Sequence, residues 1–321
     1  MISKTGSWTV PQLEGRIRLD QLMVRLLPGE SRSQIQNWIR SGCLLVNGKE
    51  VKTGEVLKKG DRIELELPAV LPEIPYPEDL PIKILYRDED LAVIEKPSGM
   101  VCHSGAGVRS GTLVNALLYH LGPLQSVDPM RPGIVHRLDK PTSGLLVVAR
   151  NTRAHRELSQ QFKSRKVTKI YLALVYGKPE PSVGTIDLPL GRDPVDRKRF
   201  SIRARRRRRA ITHYSVAREA GPFSLLEVRI ETGRTHQIRV HLAQKGYPIV
   251  GDTLYGGRRD TCIAPAIRSK MPGRLFLHAH RLEFHHPVTG AVMRFTSPMP
   301  QELEQFLAEI AGLSRPQQPR R

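Results

Sequence analysis

The sequence predicts an α+β protein in two parts. A small N-terminal α/β module precedes a larger domain built on a mostly antiparallel mixed sheet with flanking helices. Three observations lead there. At 321 residues the chain lies near two domains, on a prior of about 150 residues each. From Ile82 to about Ala311, strand-length apolar runs follow one another with only a few helical patterns between them. A stretch with five prolines (Pro68, Pro72, Pro75, Pro77, Pro81) separates this region from what comes before.

Residues 1–15 have no periodic pattern and are expected to be a flexible N-terminus. Residues 16–67 form the small module. In it, Ile17, Leu19, Leu22, Met23 and Leu26 follow helical spacing up to Leu27-Pro28-Gly29. Ser31 caps a second helix carrying Ile35, Trp38 and Ile39. Strands follow at Leu44–Val46, after an Asn47-Gly48 turn from Val51 onward, and at Arg62–Leu67, where apolar and polar residues alternate. Residues 68–81 read as a semi-extended linker stiffened by proline.

In the larger domain, 82–311, strands are expected at Ile84–Tyr86, Leu91–Ile94, Gly144–Ala149, Ile170–Tyr176, Thr212–Val216 and Leu225–Ile230. Further strands are expected at Leu275–Leu277, Arg281–Phe284 and Val292–Phe295. Helices are expected at Thr112–Leu121, Arg153–Phe162, about Thr235–Gln244 and Glu302–Ile310. Residues 312–321 read as a disordered basic tail.

Charge narrows the partner. There are 51 Lys+Arg against 31 Asp+Glu, a net charge of +20. Residues 1–70 carry 11 basic and 8 acidic side chains and residues 71–90 carry 2 and 6, so the remaining 38 and 17 leave the excess after residue 90. Its densest point is Arg203–Arg209, six arginines interrupted by Ala204. Such a balance points to a polyanion, and phosphate contacts suit it because each one releases counterions. Three dispersed cysteines (Cys43, Cys102, Cys262) exclude a disulfide framework and a Cys-based zinc site, and they fit a reducing cytosol. The first residues lack a signal-peptide apolar core, and no apolar run approaches the ~20 residues of a membrane helix. A cytoplasmic protein with no membrane partner is expected.

Three clusters can carry chemistry. In His136-Arg137-Leu138-Asp139-Lys140, a carboxylate stands between cations and ahead of a buried strand, where it can stay ionised as a nucleophile or base. The same residues also suit a surface salt-bridge cluster. Tyr171, in Lys169–Gly177, shares a strand face with Ala173 and Val175 and offers a ring for stacking, or simply a core tyrosine. In Gly233–Leu242, a helical reading puts His236 and Arg239 on one face. The pairs His236/His241, His278/His280 and His285/His286 lack a zincin pattern and companion carboxylates, so no metal is expected. Gly105-Ala106-Gly107 lacks the third glycine of a dinucleotide fingerprint and no Gly-Lys-Ser/Thr loop occurs, so no nucleotide cofactor is expected.

HRLDKPTSGLLVVAR, KIYLALVYG and GRTHQIRVHLAQKGYPIVGDTLYG, in that order, resemble the motifs of the RluA-type RNA pseudouridine synthases. Residues 16–67 resemble the S-four-type RNA-binding module that often precedes that catalytic domain, and the layout is closest to members acting on large-subunit ribosomal RNA. The resemblance implies a pseudouridine synthase fold and isomerisation of uridine without metal or organic cofactor. It matches Asp139 to the catalytic aspartate, Arg137 to the arginine beside the flipped-out uridine, Tyr171 to the tyrosine packing on the base, and Arg239 to the basic partner of the aspartate. From the residues, attack on ribose, attack on the base and abstraction of a ribose proton all stay open; the resemblance favours the last. The implied partner is ribosomal RNA, free or within pre-ribosomal particles, with transfer RNA or a purely RNA-binding assembly role as alternatives, and no obligate protein partner. Two stretches depart from the family pattern, Cys102–Gly105 and the arginine run.

Overall fold

The computed structural model describes residues 5–12, 15–67, 74–105, 108, 110–125, 128–196, 198–257, 259 and 263–313, the last three by backbone alone. The chain divides into two compact units, Met1–Pro72 and Glu73–Arg321. Of the tail expected at 312–321, Gly312 and Leu313 belong instead to the last helix, and residues 314–321, with Cys262, Ala106 and Gly107, lie outside the described residues.

The first unit pairs two helices, α1 (Leu19–Leu26) and α2 (Arg32–Arg40), with a four-stranded sheet. The sheet is built from β1 (Thr5–Thr9), β2 (Leu44–Val46), β3 (Lys49–Glu50) and β4 (Arg62–Glu66), in the order β1-β4-β2-β3. Ser31 caps α2 by accepting from Gln34 N, as its position suggests. Buried Asp20 ties the helices together, accepting from Arg32 Nε at 3.0 Å and Gln36 Nε2 at 2.7 Å. The expectation of a flexible segment over 1–15 is corrected for Thr5–Val10. Thr5–Thr9 runs antiparallel to Arg62–Glu66, Trp8 packs on the core and Val10 is buried. Pairing with a partner more than fifty residues away leaves no local signature. The strand expected from Val51 onward is not found there; the chain pairs earlier, at Lys49–Glu50, directly after the Asn47-Gly48 turn.

In the second unit, residues 74–81 of the expected proline-stiffened linker are bonded to the larger domain. Tyr76 O accepts from Asn115 Nδ2 at 2.8 Å, Glu78 N donates to Asn115 O at 3.1 Å, and Leu80 O meets His120 Nε2 at 2.8 Å. This strap lies along α3 (Leu113–Leu121), which follows the hairpin β5 (Lys83–Arg87)/β6 (Leu91–Lys96). Then come β7 (Ser143–Ala149), α4 (Thr152–Lys163), β8 (Thr168–Tyr176), β9 (Val183–Asp187) and the short pair β10 (Gly191–Arg192)/β11 (Phe200–Ser201). Next are β12 (Ile211–Ala220), β13 (Phe223–Ile230), α5 (Gln237–Gln244) and α6 (Pro265–Arg268). The chain closes with β14 (Leu277–His285), β15 (Val292–Thr296) and α7 (Gln301–Leu313). The two strands expected at 275–277 and 281–284 are one strand, β14, with an irregularity between Ala279 and Arg281.

Among the described residues these make a nine-stranded sheet in the order β5-β6-β7-β14-β8-β13-β12-β9, with β15 also pairing β14. Every pairing is antiparallel except β7 with β14. The fold class is therefore α+β, with the mixed sheet expected. Strands β6 and β7 are buried on both faces: Ala92, Ile94, Leu146 and Val148 join one core, Leu91, Val93, Leu145 and Val147 the other. Their unbroken apolar runs follow from that. At the parallel junction Gly144 has φ +113°, and a Cβ there would sit 2.3 Å from Ala279 O, so only glycine lets β7 approach β14.

Candidate active site

Asp139 sits on the loop leading into β7, and the loop's shape is imposed by a segment that lies far earlier in the chain. Buried Lys96 donates its Nζ to Pro97 O at 2.7 Å, Met100 O at 2.9 Å and Lys140 O at 3.3 Å. Gly99 N donates to Lys140 O, Ser98 Oγ to Pro141 O and Cys102 Sγ to Leu138 O. The carbonyls of Leu138, Lys140 and Pro141, on both sides of Asp139, are thus fixed from below. Burial lowers the Lys96 pKa to about 8. Cys102 is a buried packing and hydrogen-bonding residue, so the departure from the family pattern there is absorbed beneath the loop.

Asp139 opens into a cleft of about 410 Å³ whose lining includes Arg137, Lys169, Tyr171, His236 and Arg239. The structure therefore brings all four expected residues, Arg137, Asp139, Tyr171 and Arg239, to one cavity. The Asp139 side chain is 14% exposed, and its Oδ2 lies 3.5 Å from Arg239 Nη1 and 4.0 Å from His236 Nε2. Tyr171 is buried; burial first, and then the charge of Asp139, push its hydroxyl pKa upward. It therefore stays protonated at neutral pH. Arg137 is exposed and forms no ion pair or hydrogen bond with the described residues.

Arg239 differs from the simple pairing expected for it. Its Nε and Nη2 both bind Asp252, each at 2.8 Å, and only Nη1 is left for Asp139. Asp252 is buried and its Oδ1 also accepts from Leu254 N and Tyr255 N. Asp252 thus orients the guanidinium, and Asp139 receives the remaining donor. The Tyr255 ring lies 5.1 Å from the Arg239 guanidinium, and its hydroxyl meets His236 Nδ1 at 2.8 Å. His236 is not within the helix: it is the N-cap of α5, in the left-handed region at φ 58°. A non-glycine residue held there costs about 1–3 kcal/mol, and Tyr255 is one contact that fixes it. Burial lowers the His236 pKa, against the opposing pull of Asp139.

Several other histidines have structural partners. His136 Nε2 accepts from Val147 N at 3.0 Å and its ring stacks on Phe162, with burial lowering its pKa to about 3. His241 bonds Thr212 Oγ1 and Leu188 O, and His278 bonds Ser143 Oγ and Ser297 Oγ. Gln237 locks the start of α5 by binding Ile211 O, Thr212 Oγ1, Thr232 Oγ1 and Arg234 N. Asp88, Asp90 and His286 bring ligand-type atoms within 4.8 Å of one another, away from the cleft. Asp88 there already receives Tyr86 Oη, His286 Nε2 and two backbone N–H groups.

Sequence reasoning misses Lys96, Asp252 and Tyr255. Lys96 lies just past the strand expected at Leu91–Ile94 and before Pro97; Asp252 and Tyr255 lie within the third motif, in a glycine-rich stretch, Gly246–Gly257.

An arginine-supported carboxylate in a cleft lined by several further cations suits chemistry on an anionic substrate. Comparisons name the class. A model described as RNA pseudouridylate synthase matches residues 90–244, and an S4 domain model matches residues 17–63. An uncharacterized RNA pseudouridine synthase of Aquifex aeolicus is 46% identical over 288 residues, 88% of this chain and 90% of that one. The ribosomal large subunit pseudouridine synthase D of Xanthomonas campestris is 41% identical, covering 94% and 91%. That of Pseudomonas aeruginosa is 41% identical, covering 91% and 92%. Among solved structures, human RNA pseudouridylate synthase domain containing 1 superposes with a TM-score of 0.55 at 27% identity, over 74% of this chain and 97% of that one. The chain belongs to the RNA pseudouridine synthase family. It is an RNA-binding isomerase with an N-terminal S4 domain.

Proposed function

We propose that the enzyme isomerises uridine in large-subunit ribosomal RNA, with Asp139 as the reacting carboxylate and no cofactor. The observation that carries this reading is the placement of Asp139 in the cleft, 3.5 Å from an Arg239 whose other donors are committed to Asp252. A target base must first leave its stack, at a cost of a few kcal/mol. The unpaired Arg137 at the cleft occupies the space it leaves, and the Tyr171 ring supports the base. The nitrogen 1–carbon 1′ bond then breaks, uracil turns, and carbon 5 bonds to carbon 1′. The proton lost from carbon 5 is balanced by the one gained at nitrogen 1, so no oxidant, reductant or second substrate is consumed. In this reading Asp139, in its guanidinium-supported ionised form, takes a ribose proton as the nitrogen 1–carbon 1′ bond breaks and returns it to the same ribose carbon when carbon 5 bonds to carbon 1′.

The ribosomal target is supported by the relatives from Xanthomonas and Pseudomonas, whose names specify the ribosomal large subunit. The compartment consistent with that substrate is the cytoplasm. Asp139→Asn should abolish pseudouridine formation in transcribed large-subunit RNA while RNA affinity stays within about twofold; residual isomerisation would sink the role of Asp139. Profiling pseudouridines in cells lacking the protein separates ribosomal from transfer-RNA targets: loss confined to transfer RNA overturns the substrate assignment.

A further inference from the structure

The cleft holds a second cation that the chemistry above leaves unused. Lys169 lies two residues before Tyr171 on β8, so both side chains project from the same side of the strand, and both line the cleft. Lys169 is 7% exposed. Among the described residues no carboxylate lies within 4.0 Å of its ammonium. Its close neighbour is the Phe162 ring, 5.7 Å from Nζ. Burial lowers its pKa to about 8, which leaves it mostly charged at pH 7. Nearby His136 is held neutral, partly by the lysine's own charge. A buried ammonium without a counterion is costly, and an anion arriving beside it would offset that cost.

The surroundings say what it takes. Lys163, Arg165 and Arg234 line the same cleft, whose two acids are Asp139, beside Arg239, and Glu231, which Arg165 and His213 already engage. Arg234 is partly desolvated and is crowded by the charges of Arg208 and Arg165, with no acid offsetting them. A neutral uracil carbonyl leaves that excess uncompensated, whereas a phosphate offsets it. We infer that Lys169 is the floor of a phosphate subsite that holds a phosphodiester next to the target nucleotide. The inference rests on the cleft being where the target uridine binds. In this arrangement the phosphate grip and the Tyr171 ring come from one strand, so backbone and base are positioned together.

The test uses small probes with the full-length enzyme. Uridine 3′,5′-bisphosphate should bind about tenfold or more tightly than uridine, the size of a charge-assisted contact. Lys169→Gln should cut that ratio severalfold, and Lys169→Arg should keep most of it. In the unmodified enzyme, amine-reactive labelling read by mass spectrometry should show Lys169 protected by the bisphosphate and not by uridine, which needs no variant to fold. Equal affinity for the two ligands, an unchanged ratio in Lys169→Gln, or equal labelling would overturn the subsite. Protection by inorganic phosphate equal to that by the bisphosphate would make it a free-anion site and overturn it too. None of these outcomes depends on turnover, so they are distinct from a failure of the Asp139 assignment.

Discussion

The guanidinium of Arg239 serves two carboxylates at unequal range, 2.8 Å to Asp252 and 3.5 Å to Asp139. That inequality predicts different outcomes for different substitutions. Arg239→Ala strands a buried Asp252 without its partner and should destabilise the domain by about 3–5 kcal/mol, read from urea denaturation. Arg239→Lys retains charge but not the fork, so it cannot satisfy both acids. It should fold and lose about tenfold or more in kcat, with RNA affinity little changed. Lys96→Met removes the donor from three carbonyls beneath Asp139 and should lower kcat more than it raises KM. Asp139, Arg137, Tyr171 and Arg239 were legible because their motifs are contiguous. Lys96 and Asp252 were not, since their roles exist only where distant segments meet: the Lys96 and Lys140 pair is 44 residues apart.

Elements tell a similar story. The helices of the small module were legible from apolar spacing and a serine cap, and β6 and β7 from apolar runs long enough for a strand and too short for a helix. Strand β1 was not, because only its register with β4 explains why Trp8 and Val10 are covered. Removing residues 1–10 should therefore expose the β4 edge and lower the thermal midpoint of the small module; an unchanged midpoint would show that β1 adds nothing. Strain at Gly144 belongs to this scale as well. Gly144→Ala places a methyl against Ala279 O in a backbone region unfavourable to side chains. A loss of about 3 kcal/mol or more is expected, together with disturbance of Asp139, which lies five residues upstream.

For the whole molecule, charge and burial have opposite pH and salt signatures. The arginine run is pinned at its end by paired hydrogen bonds between Leu190 and Arg208, with Ala204 buried and Arg203 and Arg205–Arg209 exposed. Replacing these arginines by glutamine should flatten the salt dependence of RNA binding, by about one unit of log–log slope for each phosphate left without its cation. Acid acts through the histidines. Burial lowers the pKa of His136 to about 3 and of His278 to about 4, and also lowers those of His103, His236 and His241. Below about 6.5 the unfolded chain takes up protons that the folded one refuses, so stability falls as pH falls from that point toward the folded values. The urea midpoint should be lower at pH 5 than at pH 7.5; an equal or higher one would contradict the buried neutral imidazoles.

Strand β14 lies between β7 and β8, yet it is made after every side chain assigned to the chemistry. By the time residue 252 has been synthesised, the Asp139 carboxylate, the Tyr171 ring, the Arg239 guanidinium and its Asp252 anchor all exist. The strand that fixes the distance between the first two does not. Ser143 and His278, which bond across that seam, are 135 residues apart. Activity during synthesis must therefore arrive late and all at once, when residues 277–285 insert. A nascent chain stalled near residue 270 would carry the full set of functional groups and remain silent toward the RNA around it.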